Sequence, residues 1–290
     1  MLGFCVLAPI GDATAKVLGD DLSIGFLVFI RFSMQVLILL PFVWLGGHPM
    51  PRGKRLIQAT ALRTALHICG VGMMFASLQF LPLADAIAIA FVMPFIMLLL
   101  GKLFLGEEVG PHRLAACAVG FIGTLLVVQP NFVDVGAPAL LPVGVAVVFS
   151  LFMLVTRTIA KDVDPIGMQA QSGLMAIPLL GAALVFGPNI SLLETAPIHG
   201  GYWGLLAFLG GVGTVAHLFM TWSLRFAPSA TLAPMQYLEI PIGTAIGYLV
   251  FSDLPNGLAA IGIAITVTAG LYIILRERAI AHRLATVPEP

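Results

Sequence analysis

Asp12, Arg31, His67, His217 and Glu239 stand inside apolar runs of this 290-residue chain. Charge in such a setting is costly unless it faces a cavity or a partner, so each is a candidate for binding or coupling. At helical rise, Asp12 lies roughly 9 Å from one end of the first run, and Arg31 roughly 12 Å from the same-side end of the second. Consecutive helices are usually neighbours, so the matched depths predict an Asp12–Arg31 pair, either fixing helix packing or contacting a solute or gate. Lys16, one turn beyond Asp12, competes for the same carboxylate. Glu239 falls near the middle of the ninth run, between Pro234 and Pro241. Proline frees backbone carbonyls, which membrane helices tolerate where a cavity or neighbour satisfies them. An acid there could carry a coupling proton, bind a substrate ammonium, or simply be a neutral packing group. Gln236 and Tyr237, one turn away, are expected to line the same cavity.

His67 and His217 each lie roughly 9–11 Å from the opposite face, in the third and eighth runs. Two histidines make a poor zinc site, since zinc takes three or four protein ligands, so neither a metal nor another cofactor is expected. A satisfied, isolated histidine is the plain alternative for each. Trp222 and Phe91 are candidate cavity walls. Asp85, at the start of the fourth run, suits a helix cap or an outer gate. Glu107 and Glu108 precede Pro111 in a turn, and Asp162 and Asp164 precede Pro165 as a helix N-cap. Trp44, Tyr202 and Trp203 stand at run ends as an interfacial belt. Cys5, Cys69 and Cys117 read as buried small hydrophobes.

What must position these residues follows from composition. The chain is 59% hydrophobic and 10% charged, with mean hydropathy +1.04. Soluble domains are about 45–50% apolar and about 25% charged. This excludes a globular enzyme, a nucleic-acid binder and a secreted disulfide scaffold, and a net charge of +0 offers nothing to a polyanion. Ten runs of approximately membrane-spanning length cover 1–18, 23–45, 60–80, 84–105, 112–130, 139–158, 166–187, 202–223, 230–251 and 258–275. Their length and lack of alternation exclude barrel strands. The expected class is therefore an all-α integral membrane protein of ten transmembrane helices. Alternate loops carry Arg52, Lys54, Arg55, Arg113, Arg157, Lys161, Arg225, Arg276, Arg278 and Arg283, which places them and both termini in the cytoplasm. Ala13-Thr14-Ala15 resembles a signal-peptidase site, but Pro9 and Asp12 interrupt the run and no basic leader precedes it. A start upstream of Met1 is the better expectation.

The chain also pairs with itself at an offset of 146: Ser77 with Ser223, Leu78 with Leu224, Phe80 with Phe226, Pro82 with Pro228 and Ala84 with Ala230. Two repeats of five spans, 1–130 and 139–276, with a cytoplasmic tail 277–290, must enter the membrane in opposite senses. Inverted repeats around a midplane site are a transporter architecture that works by alternating access. No Gly-rich nucleotide loop or Gly-x-Ser-x-Gly turn is present, so neither ATP hydrolysis nor serine chemistry is indicated. No ATPase subunit is implied. A membrane enzyme and a receptor are the weaker alternatives, with a lipid flippase on the same fold ahead of both. A second copy of the chain is a candidate partner.

The run Leu78-Gln79-Phe80-Leu81-Pro82-Leu83-Ala84-Asp85-Ala86, with Pro94 and Phe104-Leu105-Gly106-Glu107-Glu108, resembles the first repeat of the EamA-type drug/metabolite transporters. Gly120-Phe121-Ile122-Gly123-Thr124 through Pro130 is similar to that repeat's end. Phe226-Ala227-Pro228-Ser229-Ala230 and Ala233-Pro234-Met235-Gln236-Tyr237 are similar to the second copy, and Asp12-Ala13-Thr14-Ala15-Lys16 to the first span. Ser252-Asp253 stands where Gly-Glu is usual. The resemblance spans the chain and implies ten helices, cytoplasmic termini and a central cavity. It further implies movement of amino-acid-like, vitamin-like or nucleoside-like solutes across a bacterial inner membrane, in a direction it does not fix.

Overall fold

The computed structural model describes residues 1–106, 110–187, 190–194, 200–227 and 232–285. Eleven α-helices run through them: α1 Leu2–Leu18, α2 Ile24–Gly46, α3 Lys54–Leu78, α4 Leu83–Ala90, α5 Met93–Leu105, α6 Pro111–Val135, α7 Leu141–Ile159, α8 Pro165–Phe186, α9 Tyr202–Phe226, α10 Glu239–Phe251 and α11 Gly257–Ala285. Short 3₁₀ segments at Ala137–Leu140, Ser191–Leu193 and Ala233–Leu238 join some of them. The described residues contain no strand. Among the described residues, six stretches are long and apolar enough to cross a membrane, one of them Leu83–Phe104 across α4 and α5, with shorter apolar helices beside them. The protein is an all-α, multi-pass membrane protein.

Local chemistry sets several boundaries. Ser23 caps α2 by accepting from the Phe26 amide at 3.4 Å. Asp164 caps α8 by accepting from the Ile166 and Gly167 amides at 2.9 Å, as its place before Pro165 predicts. Gly47 and Gly106, at φ of 67° and 64°, end α2 and α5 in the left-handed conformation that glycine adopts without strain.

Four spans differ from the sequence expectation as follows. The third span begins at Lys54, because Lys and Arg are good helix formers that a hydropathy window discounts. The fourth and ninth spans are interrupted. Helix α4 stops at Ala90 and α5 restarts at Met93, with Pro94 in its first turn; the ninth span begins as the 3₁₀ segment Ala233–Leu238 before α10. Helix α11 continues to Ala285, past the expected tail boundary.

Helix α1 packs on α9 and α10, α3 on α7 and α8, α2 on α8 and α9, and α5 on α7. Helices α6 and α11 pair closely, where Thr266 Oγ1 donates to Gly262 O at 2.9 Å and to Gly120 O at 3.3 Å. A Cβ on Gly123 would lie 2.7 Å from Gly262 O, so the absent side chains allow this approach.

Candidate functional site

The two interrupted spans meet α1, α2 and α9 around one cavity of about 90 Å³. Asp12 of α1, Arg31 of α2, His217 of α9, Gln236 of the 3₁₀ segment and Glu239 at the start of α10 line it. Phe4, Phe75, Phe91 and Phe149 form much of the remaining wall. One water centre needs roughly 10–15 Å³, so the space holds several waters or a small group of a larger solute. Polar atoms therefore converge where helical backbone is broken, inside an aromatic wall.

Arg31 organises one side. Its Nη1 lies 3.2 Å from His67 Nε2 and its Nη2 lies 3.0 Å from His217 Nδ1. Guanidinium only donates, so each ring nitrogen accepts where it bonds Arg31. His217 Nδ1 lies as close, 3.1 Å, to Gly213 O, to which it donates in the other tautomer. The two rings stack at 4.3 Å, and Phe32 and Phe152 close around His67 at 5.0 and 4.8 Å.

This arrangement replaces the expected Asp12–Arg31 pair. The two side chains interact electrostatically across the cavity. Among the described residues Lys16–Asp253 and Arg55–Asp162 lie within 4.0 Å, and His48 Nδ1 lies 3.1 Å from Asp164, but Asp12 and Arg31 do not come that close. The reason is packing: α1 lies chiefly on α9 and α10 while α2 lies on α8 and α9, so Asp12 and Arg31 share a cavity rather than a helix interface. Lys16 does not compete for Asp12 either. Its Nζ donates to Leu81 O at 2.9 Å and reaches Asp253 at 3.4 Å.

Other candidates separate. His67 stands behind His217 and Tyr237 behind Phe91, neither of them lining the cavity. Trp222, expected in the wall, is 37% exposed beside Phe219 on the outside of the bundle. Asp85 is buried in the first turn of α4, the place that a helix-cap role predicts. Cys5 is buried, but Cys69 is exposed. Glu107, Glu108, Pro228, Ser229 and Ala230 lie outside the described residues, as does the side chain of Cys117.

One functional candidate went unnoticed in the sequence. Arg63 is fully buried and held by neutral groups: Thr156 Oγ1 at 3.0 Å, Ser172 Oγ at 2.9 Å, Gln169 Oε1 at 2.7 Å and Thr221 Oγ1 at 3.4 Å. It lies over the Phe152 ring at 4.6 Å. It ties α3 to α7, α8 and α9 at once. It stands only three residues into the apolar run 60–80, and its one-turn spacing from His67 was the available signal.

The EamA-like transporter family matches residues 1–129. A riboflavin transporter of Rhizobium johnstonii is 32% identical over 216 residues, covering 74% of this chain and 69% of that protein. This chain belongs to the EamA-like transporter family. A riboflavin transporter of Brucella anthropi is 27% identical, with 87% and 88% of the two chains covered. An S-adenosylmethionine uptake transporter of Rickettsia felis is 25% identical, covering 94% and 90%. A solved crystal structure superposes with a TM-score of 0.70 at 20% identity over 96% of each chain, which shows the shared fold. As a member of the EamA-like family, the protein is a small-metabolite membrane transporter.

Proposed function

We propose that this family member carries a vitamin-like or nucleoside-like solute across a bacterial inner membrane by alternating access between two inverted repeats, residues 1–130 and 139–276. The observation that carries this is the convergence of Asp12, Arg31, His217, Gln236 and Glu239 on one aromatic-walled cavity where two spans are broken. Transporters place their sites at interrupted helices for the reason seen here, since freed backbone and polar side chains need a cavity rather than lipid. Aromatic walls suit a flat ring system, and both riboflavin and S-adenosylmethionine, named for the relatives, contain one.

The repeat division rests on internal contacts. Phe91 meets Tyr237 and Gly120 meets Thr266, each pair separated by 146 residues. Only positions beside a two-fold axis can touch their own counterparts. The packings also exchange between halves: α1 on α9 answers α7 on α3, and α1 on α10 answers α7 on α5. The Lys/Arg-rich alternate loops support cytoplasmic termini. Glu239, which has no hydrogen-bond partner at Oε1, is the residue placed to bind substrate or a coupling proton. The protein's action is translocation of an unmodified solute, not its conversion.

The test is uptake of labelled riboflavin and labelled S-adenosylmethionine into sealed proteoliposomes containing the purified chain. Accumulation of either solute, recovered unchanged, is expected. Recovery of a modified product would make the protein an enzyme. Failure of both solutes, with movement of a labelled lipid between leaflets, would favour the flippase alternative.

A further inference from the structure

We infer that Phe75 and Lys16 form the outer gate of the cavity, with the Phe75 ring as its partition and the Lys16 ammonium as the latch that holds the rim closed. This rests on the transporter reading above, and the word outer on its cytoplasmic termini. A second hollow, of about 310 Å³, lies beside the end of α1. Lys16 lines it from α1, Gln79 from the residue that ends α3, and Phe251 and Asp253 from the end of α10 and just beyond it. Among the described residues, Phe75 alone lines both this hollow and the central cavity.

The barrier between the two spaces is thin. On α3, Val71 lines the cavity, Phe75 both spaces and Gln79 the hollow, at the four-residue spacing of one helix face. On α1, Asp12 lines the cavity and Lys16, four residues on, lines the hollow. One turn of helix rises about 5.4 Å. The spaces are therefore stacked along these helices about one turn apart, and Phe75, at 5% exposure, stands between them.

Lys16 fixes the rim. Its Nζ donates to Leu81 O at 2.9 Å, lies 3.4 Å from Asp253 Oδ2 and stands 5.0 Å from the centroid of the Phe251 ring. One ammonium thus ties α1 to the link between α3 and α4 and to the end of α10, which belongs to the other proposed repeat. The turn that delivers Asp253 is strained. Ser252, at φ of 57°, is the one non-glycine residue at positive φ among the described residues, and Gly106 holds the corresponding place 146 residues earlier at 64°. A side chain is disfavoured in that conformation, and such strain persists where the surroundings impose it, often at functional positions. The Asp253 amide closes the turn by donating to Gly247 O at 3.2 Å. The cation is not repeated at the other end: 146 residues on from Lys16 stands Asp162, an anion 3.7 Å from Arg55. The Lys16 and Asp253 side chains are 20% and 37% exposed, so salt reaches the pair and the latch releases without unfolding the bundle.

The experiment measures how fast a membrane-impermeant methanethiosulfonate modifies a reporter thiol in the cavity wall, Ala90→Cys, in a full chain whose three native cysteines are replaced by alanine. Right-side-out and inside-out vesicles present the two ends separately. Lys16→Met and Phe75→Ala are each expected to raise the outside rate about threefold or more, with no rise from the inside. With the gate residues intact, raising salt from about 0.01 M to about 1 M shortens the Debye length from about 30 Å to about 3 Å. That step alone should raise the outside rate and not the inside rate, so the outcome does not depend on a gate variant that folds. Outside rates unmoved by salt and by both substitutions would overturn the gate. A rise from both sides alike would overturn it too, because the bundle would then be loosened rather than opened at one end. A rise from the inside alone would overturn the cytoplasmic placement of the termini, and the outer position of the gate with it. Uptake into proteoliposomes tests the transporter reading separately, so its failure and the gate's are told apart.

Discussion

Phe91 and Tyr237, 146 residues apart, meet with ring centroids 5.4 Å apart and planes inclined at 39°. Phe91 closes the gap between α4 and α5, and Tyr237 lies in the 3₁₀ segment that precedes α10. The two interruptions thus touch each other through equivalent positions of the proposed repeats. Only Phe91 also reaches the cavity.

Removing the Phe91 ring should therefore cost both a wall and a contact. An aromatic pair contributes about 1 kcal/mol beyond burial, roughly fivefold in Kd if that energy is felt in binding. Phe91→Ala is expected to weaken solute binding at least fivefold. Tyr237→Phe, which keeps the ring pair and lies outside the lining, should stay within about twofold. Titration of both purified variants checks this, and equal losses would place Tyr237 in the wall after all.

Glu239 shares the cavity with Asp12, and neither has a cation within ion-pair distance among the described residues. Glu239→Gln preserves shape and removes the charge. On the role proposed above, in which the acid serves the solute or coupling ion, it is expected to cut uptake at least tenfold at unchanged membrane yield. Flux at the wild-type level across a range of external pH would remove Glu239 from the transport cycle.

Arg63 gives an ordering rather than a single value. Lysine keeps the charge but has a compact ammonium that cannot reproduce four bonds directed at four side chains. Each hydrogen bond to a charged group contributes about 1.5–3 kcal/mol. Methionine removes the charge and the need to solvate it. Arg63→Lys is expected to lower Tm further than Arg63→Met, as measured by thermal unfolding in detergent. The reverse order would mean that the charge itself, not its geometry, stabilises this region.

The α6–α11 contact bears on folding yield. A Cβ at Gly123 meets backbone of the facing helix, which cannot move aside as a side chain can. Gly123→Ala should reduce folded yield severalfold. Gly211→Ala, where a Cβ meets nothing within 4 Å, should be neutral or slightly stabilising, about 0.5–1 kcal/mol in a helix interior. Monodisperse yield on size-exclusion chromatography separates the two cases.

Sequence made the helical class and the Asp164 cap legible, because each follows from local composition or spacing. It paired Asp12 with Arg31 by depth, whereas the short contacts of Arg31 run to His67 and His217. Depth along a helix can be counted from residue number; which helix lies beside which cannot, and α1 does not pack chiefly on α2. Trp222 misled for the related reason that its face on α9 depends on packing partners. Arg63 was missed because the third span began at Lys54, so a cation that looked peripheral is in fact enclosed. The breaks in the fourth and ninth spans were signalled by Pro94 and Pro234, but only the second pointed to a site.

The Arg63 cradle has one further consequence. Its partners are two threonines, a serine and a glutamine, none of which gains or loses a proton between strongly acidic and strongly alkaline conditions. A carboxylate in the same place would let go of the guanidinium on acidification. The knot that joins α3 to α7, α8 and α9 is thus indifferent to the acidity of either compartment, and whatever loosens it must do so by mechanical displacement of those helices.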